Sequence, residues 1–213
     1  MVTRNASGFS LVELLVAMMV SILVVGGAAA LGTQVQGSYR SQMEAATAQQ
    51  EGRFAIDFIE KYLRAAGNNP YRVTTTPCPA AGTPFQAIRF DPNVNGQNDD
   101  VRLQMDANPT NGLIGGAAGA CNETNEDVTI AYNPANFSIT VRDNITGVTE
   151  TRTDRAIAGL QFVYRNPAHV VTATAAQVAF VETRVTVRTK IDDRNLQAPV
   201  TYVVSSEVRV RSR

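Results

Sequence analysis

Hydrophobic and polar positions divide the chain into parts with different patterns. From residue 9 to residue 31 the sequence is almost wholly apolar, and Glu13 is the only residue in this run that ionises. At about 1.5 Å per residue, a helix of this length spans roughly 35 Å, enough to cross the hydrocarbon layer of a bilayer. The pattern therefore predicts a membrane-spanning helix over residues 9–31.

The helical pattern continues beyond the apolar run to about Ala66. This second segment is rich in alanine and glutamine and lacks proline, and Gly67 and Pro70 follow it in the order expected after a helix C-terminus. Apolar residues recur within it at spacings of three and four, which predicts a stripe that covers a sheet. The stripe consists of Ala55, Phe58, Ile59, Tyr62 and Ala66.

From Tyr71 onward the chain shows short β-prone runs separated by Gly, Asn, Asp and Pro. In the clearest run, Val181 and Val185 alternate with Glu182 and Arg184, so one strand face is buried and the other lies in water. The sequence thus predicts an α+β fold, a long N-terminal helix packed on an antiparallel β-sheet domain. Strands are predicted near 86–90, 100–105, 127–132, 136–142, 147–153, 157–165, 178–191 and 200–211.

The position of Glu13 and the sequence before it require an explanation. A carboxylate inside a membrane helix costs about 2.5–3.5 kcal/mol on insertion scales, so it is normally retained for a partner. The polar leader MVTRNASG, which contains Arg4, ends at Gly8 directly before the apolar run, and no clear cleavage site follows that run. This order excludes an ordinary secretory signal peptide. Alternatively, Glu13 lies near the membrane interface and the helix is an anchor alone.

The sequence from Gly8 through Phe9 to Glu13, GFSLVE, resembles the class III signal of type IV prepilins and pseudopilins. The resemblance implies that a prepilin peptidase cleaves between Gly8 and Phe9 and that Phe9 becomes the N-methylated first residue. It also implies that the Phe9 amine and Glu13 contact neighbouring subunits in a filament. The expected partners are therefore other pilins or pseudopilins, the peptidase, and inner-membrane lipid before assembly.

This resemblance also implies a type IV pilin fold and a division of the chain. Residues 1–8 form the removed leader, residues 9–31 the transmembrane and filament-core helix, and residues 32–67 its continuation on the sheet. Residues 68–213 form a β-rich domain that faces the periplasm and later the cell surface. The protein is expected to span the inner membrane once before it enters the filament.

Two later stretches, GRFAIDFIEKYLRAAG and AIAGLQFVY, resemble the PilW group of minor pilins, which is related to the J-type minor pseudopilins of type II secretion. The resemblance implies a structural subunit that helps to prime or cap type IV pilus assembly. The alternatives are a minor pseudopilin of a type II secretion system and a membrane-tethered adhesin or DNA-uptake tip subunit. A further alternative is an anchored hydrolase, but the sequence contains no catalytic motif to support it. We therefore expect no enzymatic activity.

Charge changes this interpretation little. Lysine plus arginine and aspartate plus glutamate both number 19, so the formal net charge is zero and no general attraction to nucleic acid is implied. The basic excess is local to the two C-terminal strands, where residues such as Arg184, Arg188 and Arg209 fall on predicted solvent-facing positions. These strands either form an ordinary solvated face or bind an acidic ligand such as nucleic acid.

Cys78 and Cys121 both follow the helix, in the part expected to face an oxidising compartment. A disulfide would close a loop of about 43 residues and stabilise the fold by roughly 4 kcal/mol. The alternative is two free thiols. The sole histidine, His169, follows Pro167 in a loop and is expected to be a surface residue.

The segment from residue 91 to residue 100, DPNVNGQNDD, matches the first half of a calcium loop. Asp91, Asn93, Asn95 and Asp99 place oxygens at alternate positions, and a glycine stands where such a loop turns sharply. The second half does not match, since Arg102 occupies the position of the closing glutamate. Calcium is therefore a candidate cofactor, and an Asx-rich turn between strands is the alternative.

Overall fold

The computed structural model describes residues 10–108, 111–189 and 199–211. Helix α1 extends from Leu11 to Ala65 and has Arg64 in its last turn. The predicted helix and its C-terminal end are confirmed to within one residue. Its predicted first residue, Phe9, lies outside the described residues, as does the leader 1–8.

Within the described residues, the strands all pair in antiparallel fashion and form two sheets and a short ribbon. The ribbon contains β1 (Thr75–Thr76) and β2 (Thr83–Pro84), which the sequence did not predict. The five-stranded sheet has the order of the chain: β3 (Ile88–Phe90), β4 (Asp100–Gln104), β5 (Asp127–Asn133), β6 (Ser138–Asp143) and β7 (Thr149–Thr151). The three-stranded sheet has the order β10-β9-β8, from β8 (Ile157–Arg165), β9 (Phe180–Arg188) and β10 (Thr201–Arg209).

These strands confirm all eight that the sequence predicted, with ends that differ by a few residues. A 3₁₀ turn at Ala175–Gln177, between β8 and β9, was not predicted. The α+β layout, one long N-terminal helix with antiparallel sheets, is also confirmed. Its division into two sheets is new information, because alternation predicts which face of a strand is buried and not which neighbour it pairs with.

By compactness the chain divides into two units, Met1–Met43 and Glu44–Arg213. The described part of the first unit is the N-terminal part of α1, and residues 10–36 of it are exposed. The second unit holds the rest of α1 and every described strand. The predicted boundaries differ because residue 31 marks the expected end of lipid contact and residue 67 the expected end of the helix. These boundaries stay a prediction.

One face of α1 forms the core of the second unit together with both sheets. The predicted stripe is confirmed at Ala55, Ile59 and Ala66, which are fully buried, whereas Phe58 and Tyr62 lie at its edges and are partly buried. Ile56 and Leu63 complete the buried face and were missing from the predicted stripe. A Cβ at Gly52 would lie 2.9 Å from Val187 and 3.0 Å from Val204, so glycine permits this close approach of helix to sheet.

The two sheets share this core through residues that alternate along their strands. On β9, Val181, Thr183, Val185 and Val187 are buried while the residues between them reach the surface, as predicted. At the end of β3, Phe90 stacks on Tyr164 of β8 with ring centroids 3.9 Å apart. This stack joins the two sheets next to the 91–99 loop.

Candidate functional site

The N-terminal part of α1 presents an apolar surface. Its large apolar residues are all exposed, with exposed fractions between 49% at Leu15 and 77% at Leu11. The helix is long and apolar enough to cross a membrane, by length and composition. Such a surface is stable when lipid or other apolar helices cover it.

Glu13 lies in the first turn of this helix and forms a capping box with Ser10. The Ser10 carbonyl accepts the first helical hydrogen bond, from Leu14 N at 3.2 Å, so Ser10 is the N-cap residue. Its Oγ accepts a bond from Glu13 N at 3.4 Å, and its own N–H donates to Glu13 Oε2 at 3.3 Å. The carboxylate therefore stabilises the helix N-terminus, where a negative charge also interacts favourably with the positive end of the helix dipole.

Sequence reasoning missed this intrahelical role of Glu13. The signal was present as Ser10-Leu11-Val12-Glu13, a serine followed three residues later by glutamate before an apolar run. No cation among the described residues lies within ion-pairing distance of Glu13. Gly8 and Phe9, the predicted processing site, lie outside the described residues, so their part of the assembly contact stays a prediction.

Two hydroxyl groups of this helix segment form hydrogen bonds within the helix. Ser21 Oγ donates to the carbonyl of Ala17 and Thr33 Oγ1 to that of Ala30, each at 2.8 Å. Such bonds remove the cost of an unpaired hydroxyl in an apolar environment. The segment therefore suits a lipid or filament-core environment despite its polar residues.

The 91–99 loop joins β3 to β4, and its side-chain oxygens are turned toward its own backbone. Asp91 accepts bonds from Asn95 N at 3.0 Å and Gly96 N at 2.8 Å. Asn93 Oδ1 accepts from Asn95 N at 2.9 Å, and Asn95 Oδ1 accepts from Gln97 N at 2.7 Å. Asn95 Nδ2 also donates to Asp99 at 3.2 Å. The four predicted loop residues thus lie in one hydrogen-bonded turn.

Asp100, at the start of β4, has a buried carboxylate that reaches this loop. The residue is 1% exposed, and Oδ2 accepts a bond from Asn93 N at 3.2 Å. Oδ1 is buried and has no hydrogen-bond partner. The pKa of Asp100 is raised to about 6, chiefly by burial; the charges of Asp99 and Asp91 add to this rise, and the hydrogen bond from Asn93 N opposes it. Among the described residues, no group of three or more His, Cys, Asp or Glu side chains is placed to hold a metal.

The predicted disulfide between Cys78 and Cys121 is confirmed, with Cα atoms 5.6 Å apart. It joins the segment between β1 and β2 to the loop before β5. A Cβ at Gly115, where φ is +83°, would lie 2.7 Å from the Cβ of Cys78, so the chain packs closely here. The covalent link thus fixes a loop-rich region that contains few strand residues.

Glu126 fixes the same region by hydrogen bonds, which sequence reasoning missed. Its buried carboxylate accepts bonds from Ala107 N at 2.9 Å, Asn108 N at 3.0 Å and Gly115 N at 2.7 Å. Burial raises the pKa of Glu126, although these amides lower it in part. No periodic pattern marks such a residue, because its partners are backbone amides of distant loops. The role is structural.

The arginines of the C-terminal strands have partners within the protein. Arg184 Nε and Arg165 Nη2 contact Glu182 at 2.7 and 2.8 Å, and these two bonds hold the pKa of Glu182 below its usual range. The guanidinium of Arg188 lies 3.5 Å from the centroid of the Phe137 ring. The exposed arginines left on this face include Arg209 and Arg211, whereas Lys190, Arg194 and Arg213 lie outside the described residues.

His169 is 59% exposed, as expected of a surface residue, and its Nδ1 lies 3.4 Å from Glu207. A cavity of about 110 Å³ is lined by Thr83, Pro84, Gln86, Arg89, Arg102 and Gln104. Arg102 and Gln104 donate to the buried Asp127. The lining provides no histidine, cysteine or carboxylate to serve as a base or nucleophile.

Comparison with protein-family models matches residues 3–29 to the prokaryotic N-terminal methylation motif. No curated protein and no solved structure matches the chain. The matched residues include residues 3–8 of the predicted leader, Phe9, Glu13 and most of the apolar segment. The motif supports a type IV pilin-like or pseudopilin protein, and together with the apolar helix it indicates membrane anchoring.

Proposed function

We propose that this protein is a minor pilin of the PilW type, a structural and non-catalytic subunit that primes or caps type IV pilus assembly. The observation that carries the proposal is the methylation motif at residues 3–29, directly continuous with an exposed apolar helix segment. In this proposal a prepilin peptidase removes residues 1–8 and Phe9 becomes an N-methylated terminus. The helix then passes from inner-membrane lipid into contact with other pilin helices.

Glu13 has two functions in this proposal. In the single chain its carboxylate caps its own helix through Ser10. In the filament it forms an ion pair with the amine of a neighbouring processed subunit, since an ionised carboxylate in an apolar environment is stabilised by a cation. The observed bonds, at 3.3 and 3.4 Å, are long and are readily exchanged for a shorter contact with a charged amine.

The capping box allows the two functions to be tested separately. Glu13→Gln keeps a side chain that completes a capping box but removes the charge, whereas Ser10→Ala removes the capping hydroxyl and keeps the charge. If Glu13 binds an amine of the adjacent subunit, Glu13→Gln lowers incorporation into filaments and Ser10→Ala does so much less. The measurement is the amount of this protein in sheared filaments relative to its membrane pool.

Two outcomes would contradict the assembly role of Glu13. Equal incorporation of wild type and Glu13→Gln would show that the charge is not needed. A defect in Ser10→Ala together with normal incorporation of Glu13→Gln, at normal membrane pools, would show that helix capping and not the charge matters. Intact-mass analysis tests the processing step independently, since mature protein that retains MVTRNASG in the presence of the peptidase would refute it.

The methylation motif is equally compatible with a minor pseudopilin of a type II secretion system. Neighbouring genes distinguish the two, because a cluster of minor pilin genes favours the pilus and a secretin-centred operon favours secretion. A DNA-uptake or adhesin role through the basic strands has less support, since Arg165, Arg184 and Arg188 are engaged within the protein. Salt-dependent binding of DNA by the purified protein would favour that role.

A further inference from the structure

We infer that the cavity beside β2, at the β3 edge of the five-stranded sheet, binds one carboxylate group between the guanidinium groups of Arg89 and Arg102. The cavity has a volume of about 110 Å³. Its other lining residues are Thr83, Pro84, Gln86 and Gln104. The inference does not rest on the proposed function, because these residues belong to the β-rich unit, far in sequence from the motif at residues 3–29.

The sheet places two cations side by side at this cavity. Arg89 of β3 and Arg102 of β4 are directly opposite in the antiparallel register, so their side chains leave the same face of the sheet. Ile88 and Leu103, which also face each other, are buried in the core, so the two arginines lie on the outer face. Like charges directly opposite each other destabilise a strand pair. An anion bound between the two guanidinium groups replaces this repulsion by attraction.

Asp127 fixes the position of one of these guanidinium groups. Arg102 Nε and Nη2 donate to the two carboxylate oxygens of Asp127, at 2.7 and 2.5 Å. This bidentate contact uses one edge of the guanidinium and leaves the N–H groups of Nη1 for a second acceptor. Asp127 itself is fully buried and also accepts bonds from Gln104 and Asn144, so its carboxylate is fully engaged behind the cavity.

Arg89 supplies a positive charge that the protein leaves uncompensated. Its side chain is exposed, and among the described residues no carboxylate forms an ion pair with it. The two positive charges of Arg89 and Arg102 and the one negative charge of Asp127 sum to +1. The amide oxygen of Gln104, which would repel an anion, instead accepts a bond from Gln86 N at 2.8 Å. The cavity is therefore suited to one monoanion.

The size and charge of the cavity favour a carboxylate. Pockets for drug-sized ligands have volumes of about 300–1,000 Å³, so a cavity of about 110 Å³ holds one anionic group and not a whole cofactor. A carboxylate is a monoanion at neutral pH, and its two oxygens match the planar donor pattern of guanidinium groups. A phosphate group carries more than one negative charge and exceeds the net charge of the site. A free carboxylic acid and an acidic side chain of another polypeptide both carry the required group.

The test follows the arginine Nε–Hε signals by NMR in the full chain, labelled with ¹⁵N-arginine and purified in a non-ionic detergent. At pH 7 we expect sodium acetate to shift the Arg89 and Arg102 signals in a saturable manner that sodium chloride at the same ionic strength does not reproduce. A short blocked peptide with one glutamate, compared with the same peptide containing glutamine, tests an acidic side chain as the source. Saturation at a lower concentration by the glutamate peptide assigns the group to a polypeptide, and the reverse order assigns it to a free acid.

Arg89→Gln removes the uncompensated charge and should weaken carboxylate binding about tenfold or more, as read from the Arg102 signal. Arg142→Gln is the matched control. Arg142 is exposed on the same face and in the same register row, since Arg102 is opposite Thr129 and Thr129 is opposite Arg142. It lies two strands away from Arg102, about 10 Å, and does not line the cavity. This variant should bind carboxylate like the wild type.

Three results would overturn the inference. The first is folded wild-type protein whose Arg89 and Arg102 signals show no saturable shift with acetate or with the glutamate peptide, a result that depends on no variant. The second is tighter binding of inorganic phosphate than of either carboxylate probe, which would contradict the assignment of the ligand. The third is an equal loss of binding in Arg89→Gln and Arg142→Gln, which would indicate a general effect of surface charge.

Discussion

Replacing Arg102 by methionine should destabilise the β-rich unit strongly, because it leaves the carboxylate of Asp127 buried without its cation. The Asp127 side chain is fully buried and accepts four side-chain hydrogen bonds, two of them from Arg102. Removing one partner of a buried ion pair costs about 3–5 kcal/mol. Gln104 and Asn144 still donate, at 2.8 and 2.7 Å, so we expect a loss of about 3 kcal/mol, the lower end of that range.

Arg152→Met provides the matched control for this prediction. Arg152 pairs with Glu150 at 2.6 Å, but the two side chains are 40% and 56% exposed, so the expected change stays within about 0.5 kcal/mol. Both variants are compared with wild type by urea unfolding in non-ionic detergent, and the near-ultraviolet circular dichroism of the tyrosines is the signal that monitors unfolding. Similar free energies of unfolding for the two variants would refute the argument that burial of Asp127 sets the cost.

Three further predictions concern the same unit. Replacing both cysteines by serine should lower the free energy of unfolding by roughly 4 kcal/mol, the chain-entropy value for a loop of 43 residues, and a loss below about 1 kcal/mol would contradict it. Gly52→Ala should destabilise by about 1–3 kcal/mol because its Cβ meets the stiff Val187, whereas Gly37→Ala, with nothing within 4 Å, should be neutral or stabilising in the same urea unfolding experiment. Ser206→Ala should cost about 1.5–3 kcal/mol at neutral pH, since the serine donates to the Glu60 carboxylate. That bond is the largest cause of a lowered pKa in Glu60, so the loss should shrink as the pH falls below about 4.5 through the folded-state pKa, and a pH-independent loss would refute the link.

Patterns with a short period predicted most of the fold. The spacing of three and four in α1 and the alternation of Val181 with Glu182 are local consequences of burying one face, so they can be read from one segment at a time. These local patterns could not predict which strands pair with one another. The separation of β8, β9 and β10 from the five-stranded sheet depends on which strands meet in space, and the sequence pattern of each strand does not specify that.

Polar residues of the candidate sites were predictable only where their partners are close in sequence. The 91–99 turn could be predicted because its side-chain oxygens stand at alternate positions, and the Ser10–Glu13 box could have been predicted in the same way from its spacing. Glu126 and Asp127 could not, since their partners lie 11 to 25 residues away on other strands and loops. For such residues, sequence shows an acidic side chain and nothing about what satisfies it.

The buried carboxylates differ in how many hydrogen-bond donors the chain supplies to them. Glu126 is buried and accepts three backbone amides, and Asp127 is buried and accepts a guanidinium and two side-chain amides. Both charges are stabilised by donors that the chain itself supplies. Asp100 is buried to the same degree but has one amide and an oxygen without a donor, beside two further carboxylates. Asp106 shares this pattern, since it is 2% exposed, its Oδ1 has no hydrogen-bond partner, and burial raises its pKa. The chain therefore satisfies its buried carboxylates unevenly, and an oxygen without a donor adds to the cost of the charged form at Asp100 and Asp106.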